Sequence, residues 1–200
     1  FLNRAKAEIG FAYGRLNDYY FQTSNMTFPN ATTDHSWYDL FAGSLSIERN
    51  SLDYKQYPIS GRKQFLVAQY VTGTEKYMPS PITDMGSFDR KVHSWLQMKG
   101  EWEQYKTISP HFNLGFMSEL VLSSKNLMNN YTASVLQAPA FTPTPHSQIV
   151  FNEAFRANQY VAFGLSPILK FSKLLHFRLD MYGFAPLYEI KKEEVWNNNT

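Results

Sequence analysis

Glu101 and Glu103, two residues apart with Lys99 beside them, are the part of this sequence best equipped for chemistry. Paired carboxylates could act as the general acid and the nucleophile or base of a glycosidase. At this spacing, however, both side chains fall on one face of an extended strand, and Lys99 falls on the same face. The same alternation puts Lys6, Glu8, Glu119, Arg178 and Asp180 on the polar faces of other candidate strands. A β-barrel interior uses such residues as a hydrogen-bonded, charge-balanced lining. The expectation is therefore a polar lumen network of Lys99, Glu101, Glu103, Glu119, Arg178 and Asp180.

Other chemistry finds little support. The histidines, His35, His93, His111, His146 and His176, lie in separate stretches without metal-ligand spacing. Gly164-Leu-Ser166-Pro lacks the second glycine of a nucleophile elbow and falls on a candidate strand. There is no phosphate-cradling glycine loop, and the absence of cysteine removes disulfides and thiolate metal sites. No catalytic, cofactor-binding or metal-binding residue is expected within the chain. A net charge of +2 without a long basic run argues against nucleic acid as a partner.

The elements that must position these residues are strands. From His93 to Tyr105, Leu96, Met98, Gly100 and Trp102 alternate with Gln97, Lys99, Glu101 and Glu103. After a short connection at Lys106–Pro110, Phe112, Leu114, Phe116, Leu120 and Leu122 alternate with Asn113, Gly115, Glu119 and Ser123. Period two over about ten residues fits a tilted membrane strand better than the usual globular strand of about five or six.

Five further strands read in the same way. Arg4–Leu16 sets Ala5, Ala7, Ile9, Phe11 and Tyr13 against Lys6, Glu8, Gly10 and Ala12, and Trp37–Arg49 sets Phe41, Leu45 and Ile47 against Ser44, Ser46 and Glu48. Lys63–Gly73 is a strand of open facing, because Leu66, Ala68 and Tyr70 compete with Phe65, Val67 and Val71. Gln159–Leu169 sets Val161, Phe163 and Leu165 against Tyr160, Ala162, Gly164 and Ser166. Leu175–Tyr182 sets Leu175, Phe177, Leu179 and Met181 against His176, Arg178, Asp180 and Tyr182.

Long connections at Asn17–Ser36, Thr74–Val92 and Ser124–Asn158 alternate with shorter ones at Asn50–Arg62, Lys106–Pro110 and Lys170–Leu174. Barrels of the bacterial outer membrane have this rim asymmetry. The prolines of Ala138–Ser147 argue against regular structure there.

An aromatic share of 16% suits a β-rich chain and the interfacial girdles of a barrel, for which Trp37, Trp95, Tyr105 and Tyr188 are candidates near strand ends. A mean hydropathy of −0.39 does not oppose this, because a barrel's apolar band is carried at alternate positions. Seven strands leave two edges, and lipid does not tolerate unpaired edges. The expected fold is all-β: an antiparallel up-and-down meander, an incomplete transmembrane β-barrel of about seven or more strands, with residues 1–200 a single segment of a longer chain.

Several short motifs, in order, carry a resemblance. They are Ser46-Ile-Glu-Arg49 followed by Tyr57-Pro-Ile-Ser-Gly61, Trp102-Glu-Gln-Tyr105, Ala138-Pro-Ala-Phe141 with Pro143-Thr-Pro-His-Ser147, and Phe155-Arg-Ala-Asn158. Together they resemble the C-terminal barrel region of Gram-negative patatin-like phospholipases, a barrel of the bacterial surface antigen type. The resemblance implies an upstream patatin α/β domain with lipid acyl hydrolase activity through a Ser/Asp dyad, and a barrel that anchors or translocates it. Outer-membrane lipid and that upstream domain are the implied partners, and the Gram-negative outer membrane the implied location. This chain has neither Gly-x-Ser-x-Gly nor Asp-Gly, so no catalytic residue carries over. Alternatives are an assembly or secretion barrel without an enzymatic domain, and a porin-like channel.

Overall fold

The computed structural model describes residues 5–21, 33–80, 88–125, 128, 131–172, 175–188 and 190. Eight strands form one antiparallel up-and-down sheet that is not closed into a barrel. They are β1 (Ala5–Tyr20), β2 (Asp34–Asn50), β3 (Gly61–Met78), β4 (Asp89–Ser109), β5 (Phe112–Ser123), β6 (Gln159–Lys170), β7 (His176–Arg178) and β8 (Met181–Tyr188). Each strand from β1 to β6 pairs with the next, and β7 and β8 both pair with β6 on either side of the Leu179–Asp180 break. The sheet therefore has seven ribs, in the expected order.

Several strands run further than alternation alone suggests. β1 continues to Tyr20, β3 to Met78, and β4 begins at Asp89, so much of the expected loops Asn17–Ser36 and Thr74–Val92 is hydrogen-bonded ladder. The remainder of those two loops lies largely outside the described residues. β4 also extends through Ser109, with a register shift between Thr107 and Ser109, which leaves a tight turn at Pro110-His111. Loop lengths therefore alternate less regularly than the sequence suggests, since 51–60 and 79–88 are alike.

The two faces of the sheet are distinct. One, the inner face, is covered by the 124–158 segment and by the 51–60 turn; among the described residues nothing covers the outer face. Turn 51–60 is held by the Asp53 carboxylate, which accepts from the N–H groups of Tyr54, Ile59 and Ser60 at 3.0, 3.0 and 3.2 Å. It ends at Gly61, whose φ of +103° suits glycine and where a Cβ would lie 2.2 Å from the Ser51 carbonyl oxygen. The turn leans inward: Asn113 Nδ2 donates to the Ile59 carbonyl at 2.7 Å and Arg178 Nη1 to that of Pro58 at 2.8 Å. A loop between β2 and β3 can reach β5 and β7 only if the sheet curls around it.

The 124–158 segment folds as a strap across the other end of the inner face. It holds a short helix, α1 (Tyr131–Leu136), ahead of its first proline, a 3-10 turn at Glu153–Phe155, and an isolated bridge between Ala140 and Arg156. Met128 and Ala133 pack with Tyr20, Tyr38, Val71 and Trp95, while Phe141 and Ala157 pack with Val121, Tyr160 and Ala162. These inner positions are apolar because protein, not water, covers them. The same packing resolves β3: Leu66 and Tyr70 are exposed on the outer face, and Val71 is buried on the inner.

Candidate functional site

All six expected network residues lie on the inner face, in the half the strap leaves polar. β4 contributes Lys99, Glu101 and Glu103 at alternate positions, and β5 contributes Glu119 directly across from Glu101. Lys99 Nζ lies 2.9 Å from Glu101 and 3.2 Å from Glu119. Lys63 of β3, not anticipated from sequence, closes on the other Glu101 oxygen at 2.7 Å. Glu119 also accepts from the Tyr160 hydroxyl of β6.

A second cluster adjoins the first. The Tyr105 hydroxyl donates to Glu103 at 2.7 Å and accepts from Arg178 Nη2 at 2.9 Å. Arg178 Nε lies 2.7 Å from Asp180, which also accepts from Ser166 at 2.5 Å. Arg178 thus ties β7 to β4, to β6 and to the 51–60 turn. Tyr105 packs flat over Gly115, where a Cβ would sit 2.3 Å from the ring, so that glycine lets the tyrosine lie across its neighbour strand. A polar cavity of ≈ 500 Å³ lies between the clusters and the Thr142–Pro145 stretch of the strap.

Each carboxylate is committed to a cation or a hydroxyl, which is how a buried charged lining satisfies its groups. A glycosidase pair would instead need one carboxyl kept free to hold a proton against substrate. Lys6 and Glu8 share the inner parity but sit at the open edge of β1, exposed and paired to each other at 2.5 Å.

Sequence reasoning missed the other polar cluster, under the strap. Glu75 is fully buried, 2.8 Å from His93 Nε2 and 3.3 Å from the Tyr38 hydroxyl. Lys125 donates to the Gln137 carbonyl at 2.5 Å and lies 4.8 Å from the centroid of the Trp95 ring. Burial pushes Lys125 down to about 8, against an upward pull from Glu75. Arg156 threads the strap together, donating to the carbonyls of Leu136 and Ala138 at 2.9 and 3.0 Å. Tyr131 bonds Glu153, which pushes its hydroxyl up to about 12.

The girdle assignment needs correcting for two residues. Trp95 and Tyr105 are each 7% exposed and point inward, Trp95 against the strap and Tyr105 into the Arg178 cluster. Their position near strand ends was a poor guide, because inner or outer facing depends on parity.

The outer face carries the feature of greatest functional weight. Ile9, Phe11, Tyr13, Phe41, Leu45, Leu66, Tyr70, Leu96, Met98, Leu120, Leu122, Phe163, Leu165, Leu169 and Phe177 are all exposed, Phe11 at 88%. They form a continuous band, which soluble monomers rarely expose. Toward the long-loop rim its continuous part ends at Tyr13 and Phe41, then Tyr70 and Leu96, then Leu122, then Val161, and Tyr19, Met78 and Val92 are exposed singly beyond it among polar and charged positions.

That limit does not follow the hydrogen-bonded rows. The row through Val161 runs by Leu120, Gly100, Leu66 and Ile47 to Ala7, six positions below Tyr13 on β1 (13 to 7). At ~3.4 Å per residue and ~4.8 Å per strand, this offset across five strand steps tilts the strands by about 40° to the normal of the band. The ten residue steps from Phe112 to Leu122 then span ~26 Å along that normal.

No protein-family model, curated protein or solved structure matches the chain.

Proposed function

We propose that this chain is part of an outer-membrane β-barrel of a Gram-negative cell, one that anchors or translocates an upstream patatin-like lipid acyl hydrolase domain. The observation that carries the membrane half is the oblique apolar band. A tilt of about 40° and a height of about 25 Å are what a transmembrane barrel requires, and a soluble sheet has no cause to set its exposed apolar limit aslant to its own ladder. Further strands would pair β1 and the β7–β8 rib, since neither edge is tolerable in lipid.

The lipase half rests on the ordered motifs alone. The occupied inner face favours an anchoring barrel over a wide open channel, because the strap and the 51–60 turn fill space that a porin leaves to water. Hydrolysis would lie outside residues 1–200, whose sequence carries no Gly-x-Ser-x-Gly nucleophile motif.

The test is the full reading frame expressed in a Gram-negative host, with fractionation and an assay of phospholipid hydrolysis. The expected result is recovery in the outer membrane, resistance to urea extraction, and hydrolysis by the full chain that no Ser→Ala change within 1–200 abolishes. Recovery as soluble protein would overturn the barrel; an outer-membrane protein without hydrolysis would leave the barrel and remove the lipase.

A further inference from the structure

Under the strap the inner face holds another cavity, of ≈ 340 Å³. Its floor follows one hydrogen-bonded row. Trp95 of β4 pairs with Val71 of β3, Val71 with Ala42 of β2, and Ala42 with Ala12 of β1, so the side chains shrink from tryptophan to alanine toward the β1 edge of the sheet. Three strand steps make this a trough about 14 Å long. Gln137, Ala138 and Pro139 of the strap border it.

At the Trp95 end stands Lys125, which is 9% exposed. Among the described residues its ammonium enters no ion pair: it donates to the Gln137 carbonyl and lies over the Trp95 ring. Glu75, the anion that acts on it electrostatically, is itself held by His93 and Tyr38. A carbonyl and a ring face do not neutralise a buried cation, and leaving one without a paired anion is costly. One inner position along β4 from Trp95, Gln97 and its register partner Gln69 add amide groups to the cavity wall.

We propose that this cavity binds a medium-chain carboxylate: the carboxylate rests on the Lys125 ammonium and the glutamine amides, and the alkyl chain runs over Val71, Ala42 and Ala12, between that floor and Pro139. A cation at one end of an apolar trough fits a ligand with one anionic end and an apolar body. An inorganic anion leaves the trough empty, and a neutral alcohol leaves the ammonium without its anion. The site needs only the sheet and its strap, so it is independent of the membrane reading.

The test uses the full-length protein, purified in a non-ionic detergent, and decanoate carrying a diazirine at the far end of its chain. Irradiation and mass spectrometry then map the labelled residues. The site predicts labelling at Ala12, Ala42 and residues 137–139 that unmodified decanoate suppresses and that acetate or decanol at the same concentration does not. Lys125→Met, which keeps the bulk and removes the charge, should weaken this labelling roughly tenfold or more. Ala42→Leu, which fills the floor and keeps the ammonium, should lose the same labelling, whereas Leu45→Ala on the outer face should retain it. Suppression by acetate, or by decanol as well as by decanoate, would overturn the site. So would labelling absent from these positions, or unchanged in both inner-face variants. Each of these results leaves the barrel reading untouched.

Discussion

Glu101 is wired to two lysines from two strands, so its removal takes the ion-pair partner from Lys63 and leaves Lys99 with Glu119 alone on a partly buried face. Glu101→Ala is expected to cost about 2–3 kcal/mol in the stability of the folded protein, at the lower end of losses for a broken buried pair because solvent still reaches the site. Removal of Glu8, whose pair with Lys6 is exposed at the β1 edge, should leave stability unchanged. Chemical denaturation in detergent compares the two, and equal losses would contradict a load shared among Lys63, Glu101 and Lys99.

Lys125 makes a different kind of claim. With its folded value at about 8 and its free value near 10.5, it is charged in both states below pH 8. Between pH 8 and 10.5 the docked lysine is neutral while the undocked one still holds its proton, so docking of the strap gains as pH rises through that window. Proteolytic protection of 124–158 should increase from pH 7.5 to pH 9.5 in the native protein, and the increase should vanish in Lys125→Met. Protection that falls over this range in the native protein would reverse the sign.

At the scale of elements, the strands with one wet and one apolar face were the readable ones. β4 and β5 alternate cleanly because Lys99, Glu101 and Glu119 oppose Leu96, Met98 and Leu120, and each parity meets one environment. β3 could not be assigned a facing, since Val71 turns inward to the strap and Tyr70 outward into the apolar band, so that both parities carry apolar residues. The ladder beyond Leu16 and before His93 was invisible because polar residues on both parities leave no alternation, although backbone pairing continues regardless. Cross-strand partners were equally illegible: nothing in the spacing joins Lys63 to Glu101, or Glu75 to His93, across the β3–β4 hairpin.

The strap is the element the sequence concealed most. Its prolines correctly argued against regular structure over Ala138–Ser147, but a chain without periodicity can still be buried, and Phe141 is 3% exposed. The meander sets the turns after β1, β3 and β5 on one rim and the others opposite. An impermeant thiol reagent on intact cells should therefore label Asn152→Cys and spare Ser172→Cys in the full protein, a simple experiment because this segment has no native cysteine. Asn129, another natural site for such a label, lies outside the described residues. Equal labelling at Asn152→Cys and Ser172→Cys would break the two-rim arrangement.

At the scale of the whole molecule, alternation predicts that one face is apolar but does not say what covers it. A packed second sheet and a bilayer demand the same period, and the sequence alone could not separate them. The slant of the apolar limit supports the proposed bilayer reading, because it needs both the residue types and the register that only the paired strands supply. Tyr13 and Val161 belong to different hydrogen-bonded rows and should nonetheless lie at one depth, while Ala7, in the row of Val161, should lie deeper.

Nitroxide labels on single cysteines in the full-length protein, reconstituted in bilayers, measure this directly through collision with oxygen and with a polar nickel chelate. Labels at Phe41 and Val161 should report similar shallow depths, a label at Ala7 should report a depth of about 10 Å from the nearer face of a ~25 Å band, and one at Gln97 on the inner face should favour the nickel reagent. Equal depth for Ala7 and Val161, or nickel access to the outer sites as great as at Gln97, would contradict a tilted membrane barrel.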